Sequence, residues 1–364
     1  MNLNSLLPIL EEMAPLAYAE DFDNVGLLVG ERNMEITGIL ACHDALETVI
    51  DEAVSKDCNV VVCFHPILFS GLKSITGKNY VERAVIKAIK NDVAIYAVHT
   101  ALDNHMDGVN KIFADAIGLT NAKILLPKEN FIRKLVTYTV PENADKVRNA
   151  MFEKGAGTIG NYDHCSFNSE GFSTYIPNEG SDPVIGEQGK MTIGDEVKIE
   201  VTFKKHQEAG ILKALFENHI YEEVAYEIYS LENKHQHIGL GMVGELETAL
   251  SERDFLQMVK DKMQCGVIRH SEFINRNIKK VAVLGGSGSF AIKAAISAGA
   301  DAYLTADLKY HDFYQAENKM LLADIGHFES ERYTKNYIVD FLRKKITNFA
   351  IILSEINTNP VKYL

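Results

Sequence analysis

At 364 residues, 46% hydrophobic and 24% charged, the chain exceeds one small domain and has an ordinary globular make-up. Its formal net charge of −13 excludes a protein that grips nucleic acid through a basic surface, but not one that holds a nucleotide-sized molecule through a metal. Five cysteines without CxxC spacing supply no disulfide framework, no basic-then-apolar leader opens the chain, and no run of about 18 apolar residues occurs. The expectation is a soluble protein of a reducing, cytoplasmic compartment.

Leu3, Leu6, Leu7 and Leu10 share one face of a helix ending at Met13. A carboxylate-rich turn, Glu20 to Leu27, follows. Apolar strands are predicted at Ile36–Cys42, Asn59–Cys63 and Val93–Val98, alternating with helices at Asp44–Ser55, Tyr80–Lys90 and Val109–Ile117. Continuously apolar strands separated by helices signal a parallel sheet covered on both faces. From about residue 128 to 235 the texture changes to half-exposed strands and two helices, Asn143–Glu153 and His206–Asn218. That order is β-α-β-β-α-β, a ferredoxin-like unit. Asn233–Gly244 reads as its exit linker. The α/β texture then resumes, with strands at Lys279–Leu284, Ala302–Thr305, Met320–Ala323 and Phe349–Leu353 and a long final helix over Ser330–Lys345. The fold class is therefore α/β. Either residues 1–127 and 236–364 form one domain split by an insertion of 128–235, or the chain has three separate domains.

The chemistry gathers at predicted strand ends. His65, Asp103, Asp307 and His327 each follow an apolar strand. In open α/β sheets that edge is where ligands bind. His327 and Glu331 stand four residues apart at a helix start, on one face. Imidazole and carboxylate together suit a divalent transition metal. Each residue alone has an ordinary reading, as a loop histidine, a helix cap or a solvated pair. The loop Gly285-Gly286-Ser287-Gly288 between strand and helix offers either an anion cradle or tight packing. Gly286-x-Gly288-x-x-Ala291 superficially fits a dinucleotide fingerprint.

These stretches, with Asp21 to Leu27, His65-Pro66, His99 to Asp103, Asp307 to His311 and Gly326 to Glu331, resemble the dinuclear-metal, hexameric toroid proteins named GTP cyclohydrolase 1 type 2 homologues. Gly157 to Tyr162 and His219 to Glu223 look like that family's PII-like inserted domain. The resemblance implies His65, Asp103, His327 and Glu331 as metal ligands, with one or two Zn, Mn, Fe, Co or Ni ions per chain. It further implies a homohexamer and a small-molecule ligand of the nucleotide kind. Phe64 departs from the family's His-His pair and cannot ligate, so one metal loses a donor. His99, His311 and Cys63 are the nearby replacements by sequence. Ala101 and Ile220 are lesser departures, standing where the family has Asn and Pro. Two functions follow: a metal-dependent hydrolase with Glu331, Asp307 and His311 in catalytic roles, or a metal-binding assembly or regulatory protein without robust turnover.

Overall fold

The structure, a computed structural model, describes residues 1–364. Helix α1 (Leu3–Met13) opens it, with the Asn2 side chain accepting from the Ser5 amide at 3.1 Å and Leu3, Leu6, Leu7, Leu10 and Met13 buried. The chain continues through strands β1 (Gly26–Val29) and β2 (Ile39–Asp44), helix α2 (Glu47–Ser55) and strand β3 (Val60–His65). Next come α3 (Tyr80–Lys90), β4 (Ala94–Ala97), the short α4 (His99–Asp103), α5 (Val109–Ile117) and β5 (Thr120–Pro127). The inserted segment holds β6 (Ile132–Thr139), α6 (Pro141–Glu153), β7 (Ser166–Tyr175), β8 (Thr192–Lys204), α7 (Glu208–Asn218) and β9 (Tyr226–Ser230). The rest is β10 (Gly239–Leu250), α8 (Glu252–Met263), β11 (Arg269–His270), β12 (Ile278–Ser287), α9 (Ile292–Ser297), β13 (Ala302–Ala306) and β14 (Leu321–Asp324). It ends with α10 (His327–Glu331), α11 (Thr334–Lys345) and β15 (Ile351–Leu353). No helix is long and apolar enough to cross a membrane.

Two compact units result, one of Met1–Pro127 with His237–Leu364, the other of Lys128–Gln236. In the second, four antiparallel strands run in the order β7-β8-β6-β9, the arrangement of a split β-α-β unit.

The first unit contains two sheets. One has the order β1-β4-β3-β2-β15, parallel except for β1. Its strands are short, apolar and buried on both faces. One face packs Val60, Val62 and Phe64 with α1 and with Ile338, Val339 and Leu342 of α11. The other packs Val61 and Cys63 with Val49, Ile50 and Ala53 of α2 and with Ala84, Val85 and Ala88 of α3. Each fully buried aliphatic side chain stabilises the fold by about 1.5–3 kcal/mol. The second sheet, β11-β14-β13-β12-β10-β5, is mixed: only β12, β13 and β14 run parallel.

Several expectations change. The expected linker at Asn233–Gly244 runs into β10, whose central residues are buried between β5 and β12. Apolar residues outnumber the glycines there, and pairing on both sides overrides the glycines' weak strand preference. Asp44 ends β2 instead of starting a helix, and His99–Asp103 is one helical turn. The final helix is broken at Arg332 and Tyr333 into α10 and α11.

Candidate metal centre

The carboxyl ends of the parallel strands from both sheets meet in one crevice. His43 and Asp44 finish β2, and His65 finishes β3. Asp103 ends α4, which follows β4. Asp307 stands one residue beyond β13, and His327 opens α10 after β14. Glu331, one turn further along α10, is buried at the centre.

Three imidazoles converge on a single carboxylate oxygen. Glu331 Oε2 lies 3.3 Å from His65 Nε2, 3.3 Å from His327 Nε2 and 3.4 Å from His43 Nε2. His65 Nε2 and His327 Nε2 are 3.4 Å apart. The predicted one-face pairing of His327 with Glu331 is thus present. The far nitrogens of two rings are held by carboxylates: His65 Nδ1 by Asp44 Oδ1 at 2.8 Å, and His327 Nδ1 by Asp307 Oδ2 at 2.7 Å. Those bonds orient each ring so that its Nε2 faces Glu331. Asp44 is itself held by the Thr358 hydroxyl, and Asp307 by that of Ser287.

Four buried polar groups here lack a hydrogen-bond partner: both nitrogens of His43, Asp103 Oδ1 and Glu331 Oε2. Leaving a buried donor or acceptor unmade costs about 1–3 kcal/mol each, more for a charged group. Together these side chains have the donor chemistry of a metal site, mixed imidazole and carboxylate. His65, His327 and Glu331 bring their ligand atoms within 4.8 Å of one another, as do His43, Asp44 and His65.

The electrostatics agree. Burial pushes the Asp103 carboxyl up, and the neighbouring Glu331 charge adds to it, so its pKa lies well above the usual range. For Glu331 burial acts upward too, but His327 and the facing imidazoles outweigh it and hold the carboxylate well below its ordinary value. Burial pulls His65 down, yet Asp44 and Glu331 bring it up to about 9. His327, despite burial, is pushed up to about 11 by Glu331 and Asp307. A cation between these groups would hold Asp103 ionised and the imidazoles neutral.

The surrounding chain is built for close approach. Gly286 has φ +68°, and a Cβ there would meet Glu331 Oε1 at 2.5 Å. Only glycine allows β12 to pass this carboxylate without strain. The Gly285 amide donates to Asn110 Oδ1 at 3.0 Å and the Gly286 amide to Ser330 Oγ at 2.9 Å. Those two amides are spent inside the protein, so the loop packs tightly and does not offer them to an anion. Asn110 also donates to the Asp103 carbonyl at 3.0 Å, tying α4 to β12. Outside the cluster a cavity of about 380 Å³ is lined by His43, His65, Arg269, Asp307, His327 and by Asn359, Pro360, Val361 and Tyr363, among others.

The proposed replacements for Phe64 fall elsewhere. Cys63 faces the opposite side of the sheet, in the core formed with α2 and α3, and burial pushes its thiol up. His99 Nδ1 is bound to Asp23 Oδ1 at 2.8 Å, and its ring lies 5.3 Å from that of His65. His311 is exposed, edge-on to Tyr310 and tilted against Tyr314, and no contact links it to the cluster. Asp21 is exposed, whereas Asp23 accepts from the Thr100 amide at 3.1 Å. The residue sequence reasoning missed is His43. It stood in the connection after an apolar strand, and the available signal was its place at the end of β2 beside His65 on the parallel neighbour β3.

The comparisons agree with this architecture. The model of the family Duf34/NIF3 (NGG1p interacting factor 3) matches residues 1–360. The GTP cyclohydrolase 1 type 2 homolog of Bacillus subtilis (strain 168) is 36% identical over 374 residues, covering 100% of this chain and 99% of the relative. The protein of the same name from Halalkalibacterium halodurans is 35% identical over 369 residues, covering 100% and 99%. The crystal structure of a Bacillus cereus protein related to NIF3 superposes with a TM-score of 0.84 at 34% identity, covering 100% of this chain and 99% of that one. The chain belongs to the Duf34/NIF3 family.

Proposed function

We propose that this crevice holds divalent transition-metal ions and that the protein is a metal-dependent hydrolase acting on a nucleotide or a related phosphorylated small molecule. The observation that carries the reading is the convergence of His65 and His327 on Glu331 Oε2 in a buried site, with the unpartnered carboxyl of Asp103 close enough to feel the Glu331 charge. His65, Asp103, His327 and Glu331 would hold the ion. A bound divalent ion supplies Lewis acidity and an activated water. Asp44 and Asp307 fix the imidazole tautomers, and Asp307 also stands at the cavity wall, placed to pass a proton between His327 and solvent. Glu331 stays ionised because cationic neighbours outweigh its burial. Arg269 is the one Arg or Lys among the cavity-lining residues and supplies a cationic contact for a phosphate. The relatives' names supply the purine nucleotide as the first substrate to try.

The test is metal analysis and turnover across a nucleotide panel on untagged protein. Metal-dependent, saturable turnover that vanishes in Glu331→Ala supports the hydrolase. Metal binding without turnover of any panel member moves the reading to a metal-binding assembly. That alternative draws on Phe64, which places an apolar ring, fully buried, at 4.8 Å from His65 where a further ligand was expected.

A further inference from the structure

We infer that His43 is a metal ligand, supplied by β2 in place of the imidazole that Phe64 on β3 does not supply. This rests on the metal-site reading above. In the parallel register of β2 and β3, Cys42 faces Cys63 and Asp44 faces His65, so positions 43 and 64 are lateral neighbours. Their rings lie 5.4 Å apart, on the same side of the sheet. A donor lost at one position therefore has a substitute about one strand spacing away.

The surroundings of His43 differ from those of an ordinary core histidine. Such a histidine is hydrogen-bonded. His43 is 4% exposed and neither nitrogen has a partner, yet its Nε2 stands 3.4 Å from the oxygen shared by His65 and His327. It is positioned differently from the other two imidazoles. Asp44 and Asp307 hold those by their Nδ1 atoms, whereas the His43 ring is gripped by Phe64 and by Phe328, with centroids 5.0 Å apart in the latter pair. Phe64 is thus the wall against which the substitute ligand rests. With His43 the donor set would have three imidazoles and two carboxylates, enough donors for two ions.

The experiment is a Zn²⁺ titration against a chromophoric chelator, with metal content per chain, on the full chain and its variants. His43→Leu is expected to lose one of two bound equivalents, or to weaken binding at least about tenfold. The double variant His43→Leu/Phe64→His should recover the loss. Melting in the presence of EDTA is the companion measurement. Leucine removes a buried unpartnered group, so metal-free His43→Leu should melt no lower than wild type. Unchanged stoichiometry and affinity in His43→Leu, with Glu331→Gln still defective, overturns the His43 assignment alone. No specific Zn²⁺ binding by wild type, and none lost in Glu331→Gln, overturns the metal reading and this inference with it. A lower metal-free melting temperature in His43→Leu, unaccompanied by weaker binding, shows a packing residue and likewise overturns the assignment.

Discussion

Two clusters of histidine and carboxylate lie on either side of Phe64, and they differ in one property. In the first, Asp23 is the paired group: its Oδ1 meets His99 Nδ1, and its Oδ2 takes the Thr100 amide and hydroxyl. In the second, His43, Asp103 and Glu331 keep buried polar atoms without a hydrogen-bond partner. Residue types and burial are similar, and the Phe64 ring lies 5.4 Å from His43 and 5.6 Å from His99. The difference teaches that composition does not mark a ligand site. A closed network already spends its donors and acceptors on the fold, and an open one keeps them for something else.

The largest effect should come from the centre of the open cluster. Glu331→Gln removes the charge shared by three imidazoles, and bound metal should fall to background by elemental analysis. Next, Asp307→Asn and Asp44→Asn should each retain the ligands but lose their orientation, weakening metal affinity about 10–100-fold in chelator competition. In the closed cluster the outcome should reverse. Asp23→Asn should keep its metal and lose about 1–3 kcal/mol of stability in urea unfolding, since it disrupts buried hydrogen bonds. If metal disappears instead, the two clusters are one site.

The pH dependence sharpens the same contrast. Burial raises the Asp23 carboxyl, but the bonds from His99 and Thr100 overcome it and lower it from 3.8 to about 2. A depressed carboxylate stabilises the fold fully above its unfolded value and loses that contribution as pH falls through the folded one. The stability gap between wild type and Asp23→Asn should therefore be constant above about pH 5 and shrink between about 4 and 2, as read by urea melts. The smallest effect belongs to Cys63→Ala, which should leave metal content unchanged because its side chain faces away from the cluster.

The sequence carried much of this. Apolar runs located the buried strands, and the spacing of His327 and Glu331 placed them on one helical face, as found. Asp307 was recognised as a partner of the cluster and does hold His327. Other judgements needed the third dimension. Cys63 and His65 are two residues apart in one strand, yet only His65, at its end, reaches Glu331. The glycine loop reads as either an anion cradle or tight packing until Asn110 and Ser330 are seen to take its amides.

What the sequence by itself determined is therefore local: which segments are apolar enough to become strands and helices, and which polar residues stand at their ends. Only the tertiary structure decided which ends meet. His43 is 288 residues from Glu331 in the chain and 3.4 Å from it in space. No periodicity encodes that distance, because it is set by the packing of two sheets whose strands are far apart in sequence. The same packing leaves both nitrogens of His43 and Asp103 Oδ1 buried without a hydrogen-bond partner.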